Sequence, residues 1–371
     1  MSYIQAQNPL SQGNNLLKIQ GIDYVEFYVG NATQAAYFYR TAFGFTPIAY
    51  AGLETGMCDR LSFLLKQGNI HIVLTGATKP NSEIAKHVAL HGDSVKDIAF
   101  VVDDATFAFE EMLKRGASPI LEPTVFESDE GQVIKATIAT CGNTVHSLIQ
   151  RNHCKDKFLP KYQKILNPPR SYSIGITELD HVTIVVEEGQ LNSLVNFYSQ
   201  VLGLHESYKM SIVTKSGMNL AVMENGKEVI NLTLVEPVST TFKSPLEEYL
   251  EFNCGSGVHH IAFLSDNIVS TVRCLQASGI DVAYTPDTYY EVLENSTGHI
   301  CEDLAALREL KILVDWNSEG YLLQTFTKPM QDRPTFFLEI IQRRNNRGFG
   351  EGNIKALLEA IEREQVKRGN L

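Results

Sequence analysis

Basic residues are in short supply: 32 lysines and arginines stand against 43 aspartates and glutamates in 371 residues, a net charge of −11 and a pI near 5.4. A chain this acidic has no basic face to offer nucleic acid or an anionic membrane surface, so the expected partner is a small molecule. No stretch approaches the roughly 20 consecutive apolar residues that span a bilayer. The polar opening Met1–Asn15 lacks the basic start and apolar centre of a secretory leader, and a cytoplasmic location is expected. The six cysteines, Cys58, Cys141, Cys154, Cys254, Cys274 and Cys301, form no CxxC pair or other metal-ligand spacing, so reduced thiols without assigned chemistry are expected. With 44% hydrophobic, 9% aromatic and 20% charged residues, the composition is that of a globular protein long enough for two cores.

What the chain does contain is itself, twice. Gly21-Ile-Asp-Tyr-Val25, Gln34 to Arg40 and Gly44-Phe45 read as strand, helix and turn, and Glu178-Leu-Asp-His-Val182, Leu194 to Gln200 and Gly203-Leu204 repeat them. The match continues with Val95 to Phe100 against Val258 to Phe263 and Gly116 against Gly279, and closes with Leu148-Ile-Gln-Arg151 against Ile340-Ile-Gln-Arg343. Within each half the pattern divides again into strand, helix and three strands. Lys96–Val102 is apolar-rich, Ala105–Arg115 has helical spacing at Phe107, Phe109, Met112 and Leu113, and Val133–Thr140 and Val145–Gln150 read as strands. The expectation is α+β, four small modules in two tandem domains. Residues 14–151 form the front domain, 152–175 a linker rich in lysine with Pro168-Pro169, and 176–371 the rear domain.

Aligning the halves exposes an asymmetry. His181, His260 and Glu339 stand 79 residues apart, twice over, in strand-like segments, and correspond to Tyr24, Asp97 and Ser147 in the front half. A lone strand histidine is more often packed than ligating, but packing gives no reason for three positions to change together. A carboxylate among Phe336, Phe337, Leu338, Ile340 and Ile341 is costly unless paired or ligating. Two imidazoles and one carboxylate occupy one face of an octahedral metal and leave the other open, the arrangement of non-heme iron(II) oxygenases. The remaining histidines, His71, His87, His91, His146, His153, His205 and His299, fall mainly in loops, helices or the front half. His259 points away from His260 by period-two alternation, yet lies close enough for a supporting role or a pocket wall.

These motifs resemble the vicinal-oxygen-chelate superfamily, and within it the pair of 4-hydroxyphenylpyruvate dioxygenase and 4-hydroxymandelate synthase, from about Gly21 to Leu371. The likeness rests on Asp180-His-Val, Gly257-Val-His-His-Ile-Ala, Thr285-Pro with Tyr289-Tyr290, Gly320 to Thr327, Arg333 to Arg343, Gly348-Phe-Gly350 and Gly352-Asn-Ile-Lys-Ala-Leu. The resemblance implies open barrels of βαβββ modules and a homo-oligomer. It also implies Fe(II) held by His181, His260 and Glu339, with an aromatic 2-oxo acid and O2 meeting there. Gln324 would hydrogen-bond near the metal, Phe326, Phe337 and Phe349 would clamp the ring, and Asn353 to Gly369 reads as a lid helix or an ordinary packed one. Attack on the ring gives homogentisate; attack on the benzylic carbon gives 4-hydroxymandelate. Pocket shape decides, since about 1 Å changes which carbon faces the oxidant.

The sequence is similar to the synthase where the two differ. Thr233-Leu-Val-Glu-Pro237 stands in place of the dioxygenase's Pro-Ile-Asn-Glu-Pro, and Ile354 in place of a phenylalanine; Met218-Asn219, Val145 to Arg151, the Gln67-Gly68 turn and Val73-Leu-Thr75 are also synthase-like. Losing an amide at Val235 and an aromatic plane at Ile354 lets a ring sit deeper, bringing its benzylic carbon to the metal. Leu220 and His259 replace a serine and a glutamine, so the pocket is short of polar partners and an apolar 2-oxo acid such as phenylpyruvate is a further candidate. Three rivals use the same modules: catechol extradiol dioxygenases, which need an acid-base histidine beside the metal; antibiotic-sequestering binders, which need no open metal face; and glyoxalase-like isomerases, whose sites carry more carboxylates.

Overall fold

The computed structural model describes residues 16–128, 131–152, 158–226, 230–294 and 298–369. The polar opening Met1–Asn15, with residues 14 and 15 of the expected front domain, and His153 and Cys154 of the expected linker lie outside them.

The first half runs β1 (Ile19–Val29), α1 (Ala32–Phe43), β2 (Thr46–Ala51), β3 (Arg60–Gln67), β4 (Ile70–Ala77), α2 (Glu83–His91), β5 (Ser94–Val102), α3 (Ala105–Lys114), β6 (Pro119–Ser128), β7 (Gly131–Ala139), β8 (Val145–Asn152) and β9 (Gln163–Lys164). The second runs β10 (Ile176–Val185), α4 (Leu191–Phe197), β11 (His205–Val213), β12 (Gly217–Glu224), β13 (Asn231–Val238), α5 (Pro245–Phe252), β14 (Gly257–Ser265) and α6 (Ile268–Ala277). It closes with α7 (Asp287–Glu294), α8 (Leu304–Glu309), β15 (Leu313–Trp316), β16 (Tyr321–Phe326), β17 (Phe337–Arg344) and α9 (Glu351–Arg368). Strand order is β6-β7-β8-β5-β1-β4-β3-β2-β9 in the front sheet and β11-β12-β13-β10-β14-β17-β16-β15 in the rear. Each module closes its first strand in parallel on its last, β1 on β4, β5 on β8, β10 on β13 and β14 on β17, and modules join antiparallel at β1–β5 and β10–β14. These are the four βαβββ modules in two tandem sheets.

Local chemistry explains the repeat. Asn31, Asp104 and Asn267 cap α1, α3 and α6 by accepting from the amides of Gln34, Phe107 and Ser270. Helix α4 begins three residues earlier than the sequence spacing suggests and ends in a wider, π-type turn over Tyr198–Leu202, which seats Tyr198 against His146 of the front half at 2.9 Å. The expected linker is partly sheet: Gln163 and Lys164 pair with Tyr50 and Ala49 at the front edge. Gly68, at φ +56°, abuts the Thr177 carbonyl, where a Cβ would come within 2.2 Å.

Period-two alternation divides each sheet between two environments. One face, with Val182, Ile261 and Ile340 in the rear half, joins a core shared by both halves, where Phe27 packs on Phe336 at 5.1 Å and Phe45 on Phe263 at 5.8 Å. The other face lines each sheet's own interior, and His181, His260 and Glu339 stand on it.

Candidate metal centre

Register sets the geometry. His181 on β10 pairs with Ala262 on β14, which pairs with Glu339 on β17, while His260 lies one step further along β14 between Thr183 and Phe337. The three donor side chains are buried, and their ligand atoms lie within 4.8 Å of one another. Oε2 of Glu339 is 3.4 Å from Nε2 of His181 and 3.5 Å from Nε2 of His260. These separations exceed a hydrogen bond and are close to the ~3 Å between adjacent ligands of an octahedral ion at ~2.1 Å. The donor set therefore fits a divalent cation, with nitrogen and carboxylate ligands of the kind iron(II) takes.

Bulges aim the supporting residues. Asp180 is an extra residue between the Leu179–Phe263 and His181–Ala262 pairs, and His259 between Val258 and His260. The front sheet has the same irregularities at Asp23 and Lys96, so the duplication extends to the backbone defects. Strict alternation would send neighbouring side chains to opposite faces. Instead Nδ1 of His181 lies 2.8 Å from Oδ2 of Asp180, and Nδ1 of His260 lies 3.1 Å from Nδ1 of His259. Alternation alone had turned His259 away from its neighbour; the bulge returns it.

Arg343 grips Asp180 through Nε at 2.7 Å and Nη2 at 2.8 Å. Burial would raise the Asp180 carboxyl, but this guanidinium holds it well below the usual range. For His181, burial acts downward, while the Glu339 and Asp180 carboxylates outweigh it and raise the imidazole to about 9. Burial, with the His259 and His181 rings, pushes His260 far down. The centre thus attracts positive charge and presents at least one neutral imidazole to receive it.

Gln324 donates from Nε2 to Oε1 of Glu339 at 2.8 Å, and its own Oε1 accepts from Asn353 Nδ2 at 2.8 Å. Tyr289 in turn donates to Asn353 Oδ1 at 3.1 Å. Gly350, at φ +70°, permits this approach, since a Cβ there would stand 2.3 Å from Gln324 Oε1. Beyond it α9 covers a largely apolar cavity.

The cavity is walled by the three donor residues His181, His260 and Glu339, by Gln324, Phe326, Phe349, Thr233, Val235, Leu220, His259 and Ile354, all singled out in the sequence, and by Thr183, Met218, Pro245, Leu246, Leu357, Leu358 and Ile361. Phe337 is not one of its walls; its ring stacks on His260 at 4.8 Å and faces an adjoining cavity. Asn353, Asp180, Arg343 and Thr183 had no assigned role in the sequence. Thr183 was within reach, two residues after His181 on the same strand face.

In the front sheet the equivalent residues also converge, but among the described residues there they form no group of three metal-ligating side chains. Asp97 accepts from the Tyr24 hydroxyl at 3.2 Å and from the Ser147 hydroxyl at 2.5 Å, and Lys135 reaches Asp97 at 3.4 Å and Tyr24 at 2.9 Å. Lys135 stands at the register position of Gln324: each lies two residues before the partner of Ser147 or Glu339 on the adjacent strand. An ammonium takes the position where a cation would sit.

The family model described as "Hydroxyphenylpyruvate dioxygenase, HPPD, N-terminal" matches residues 14–160, and the Glyoxalase/Bleomycin resistance protein/Dioxygenase superfamily matches residues 180–296. The 4-hydroxyphenylpyruvate dioxygenase of Yarrowia lipolytica is 40% identical over 96% of this chain and 95% of its own length, and that of Xenopus tropicalis 42% over 94% and 92%. The chain belongs to the 4-hydroxyphenylpyruvate dioxygenase family. Among solved structures, a triple mutant of 4-hydroxymandelate synthase from Streptomyces coelicolor superposes with a TM-score of 0.85 at 34% identity, over 94% of this chain and 99% of that one. As a 4-hydroxyphenylpyruvate dioxygenase family member the chain falls among non-heme iron dioxygenases, and the buried two-histidine, one-carboxylate group is of the type such enzymes require. Among the described residues, no helix is long and apolar enough to cross a membrane.

Proposed function

We propose that this family member is an Fe(II)-dependent dioxygenase of aromatic 2-oxo acids that converts 4-hydroxyphenylpyruvate or a close analogue, with O2, to 4-hydroxymandelate and CO2. The observation that carries the reading is a metal-ready triad opening onto a cavity whose walls include Val235 and Ile354, both smaller or less polar than the residues expected of a ring-attacking enzyme. Iron(II) held by His181, His260 and Glu339 supplies the redox chemistry that couples dioxygen reduction to decarboxylation and hydroxylation.

The chain's own residues prepare the ligands. Asp180 accepts from Nδ1 of His181, which leaves Nε2 with its lone pair directed inward. For His260 to ligate through Nε2 as a neutral ring, its Nδ1 carries the proton and donates to Nδ1 of His259. Gln324 occupies Oε1 of Glu339, so Oε2, the oxygen nearer both imidazoles, is the ligating one. Phe349 lies edge-on to His181 at 5.5 Å, and α9 brings Ile354, Leu357 and Leu358 over the cavity, excluding water from the reacting acid. The setting of this reading is a homo-oligomer in the cytoplasm.

A second reading, ring attack giving homogentisate, is favoured by the 37–42% identity to curated 4-hydroxyphenylpyruvate dioxygenases. Anaerobic loading with iron(II), followed by 4-hydroxyphenylpyruvate and oxygen, separates the two by mass and chromatography. 4-Hydroxymandelate is expected; homogentisate as sole product selects the second reading.

A further inference from the structure

The duplication leaves one tyrosine satisfied and its twin open. Tyr39 in α1 and Tyr198 in the wider turn after α4 are equivalents, because each carbonyl accepts from the amide that follows a helix-ending glycine, Phe45 after Gly44 and Leu204 after Gly203. The Tyr198 hydroxyl is held by His146 at 2.9 Å and Thr140 at 3.3 Å. Tyr39 is only 7% exposed, yet its hydroxyl has no hydrogen-bond partner among the described residues. A buried hydroxyl normally finds one.

Tyr39 stands in the wall of a cleft between the two halves that shares no wall residue with the metal cavity. Four rings line it in a chain: Phe38 on Tyr39 at 5.6 Å, Tyr39 on Phe27 at 6.0 Å, and Phe27 on Phe336 of the rear half at 5.1 Å. Asp93 is the one charged side chain among the described lining residues. Its Oδ1 accepts from the Gly30 amide at 2.7 Å, and Oδ2 has neither a hydrogen bond nor an ion pair among the described residues. Burial pushes the Asp93 carboxyl up, and nearby Asp332 adds to the rise. Burial, and then the Asp93 carboxylate, raise the Tyr39 phenol. Arg333, close by in the chain, is engaged with the carbonyls of Ala89, Leu90 and Phe252 instead. Negative charge therefore meets Tyr39 in an aromatic cleft with no cation to answer it.

An anion is repelled here, and a neutral hydrocarbon leaves both polar groups unmet. An ammonium donates to Asp93 Oδ2 and to the Tyr39 oxygen, and aromatic rings attract a cation beside them. An apolar body attached to it covers the phenylalanines. We propose that this cleft is a second ligand site, one that takes an organic ammonium with a small apolar group, Asp93 serving as counter-ion and Tyr39 as hydrogen-bond acceptor. The site is independent of the dioxygenase reading. Its walls come from both halves, so occupation pins one half to the other.

Benzylamine, charged at neutral pH, is the probe, with benzyl alcohol as its neutral counterpart and benzoate as its anionic one, titrated anaerobically into iron-loaded protein by calorimetry. The wild type is expected to bind the amine about tenfold or more tighter than the alcohol, and not to take up benzoate. Asp93→Asn keeps an acceptor for the Gly30 amide and removes the charge, and should weaken amine binding about tenfold or more; Tyr39→Phe removes only the hydroxyl and should weaken it about fivefold. Benzylamine should raise the thermal midpoint of the wild type and not that of Asp93→Asn. No uptake of the amine by the wild type, equal affinity for amine and alcohol, or undiminished binding in Asp93→Asn would overturn the proposal and leave a solvent-filled cleft. The comparison of amine with alcohol needs no variant, so a misfolded Asp93→Asn does not shield the proposal.

Discussion

The side-chain amide of Asn353 donates to Oε1 of Gln324 at 2.8 Å, and Gln324 donates onward to Glu339 at the same distance. The first turn of the terminal helix is therefore tied to a proposed metal ligand by two hydrogen bonds. Seating α9 and orienting the Glu339 carboxylate become one event, and the loss of either bond should be felt at both ends.

Asn353→Ala should lower kcat/KM roughly tenfold, the value of about 1–3 kcal/mol for a buried hydrogen-bond partner lost. The thermal midpoint should move little, because Glu362 independently holds α9 through the Ser216 amide at 3.0 Å and the Thr214 hydroxyl at 2.7 Å. Steady-state kinetics beside a melting curve checks both, and an unchanged kcat/KM would show that the relay is ornamental.

Glu339→Ala should abolish iron uptake and turnover while the fold persists, since two imidazoles alone leave the cation without its only carboxylate. Metal analysis after anaerobic loading, with circular dichroism as the control, reads this directly. Full iron content in the variant would contradict the ligand set.

Val235→Asn combined with Ile354→Phe should shift product from 4-hydroxymandelate toward homogentisate by returning an amide and an aromatic plane to the walls. The product ratio by chromatography is the measurement; an unchanged ratio would place product choice elsewhere in the pocket.

Lys135→Met should destabilise the front half without changing metal content. It removes the ammonium 3.4 Å from Asp97, whose side chain is buried, and an uncompensated buried charge costs about 3–5 kcal/mol. Urea unfolding and metal stoichiometry together test it, and unaltered stability would mean that the Tyr24 and Ser147 hydroxyls suffice for Asp97.

Acid should loosen the contact between the two halves. Nδ1 of His146 lies 3.0 Å from the Ile98 carbonyl, which can only accept, so Nδ1 carries the proton and Nε2 accepts from the Tyr198 hydroxyl at 2.9 Å. Burial lowers this histidine from 6.5 to about 4. With the folded value below the unfolded one, the unfolded chain takes up the proton first. The stabilisation is complete above about pH 6.5 and fades as pH falls toward 4. From pH 7.5 to 5 this one group should remove ~2 kcal/mol, and His146→Gln should flatten the corresponding slope of the urea midpoint. An equally steep slope in that variant would assign the effect to other histidines.

Much of the site was legible because a duplicated chain carries its own control. Comparing His181, His260 and Glu339 with Tyr24, Asp97 and Ser147 needs only alignment, and the ligand strands follow from alternation around Val182, Ile261 and Ile340. The same alternation misled at His259 and was silent on Asp180, because a bulge changes which face a side chain takes without leaving a mark in composition. Phe337 carried the right motif and packs on His260 from outside the cavity. Asn353 gave no signal of its own, since its partner Gln324 lies on a strand 29 residues away in the chain.

Residue identity and periodicity determined the module order, the acidic character, and which half carries the three donors, because these depend on local pattern and on a repeat that can be read in one dimension. Tertiary structure alone decided that Lys135 fills the front position and that Arg343 reaches back to Asp180. Those contacts depend on strand register and bulges, and register is settled by the packing of whole sheets rather than by any segment within them.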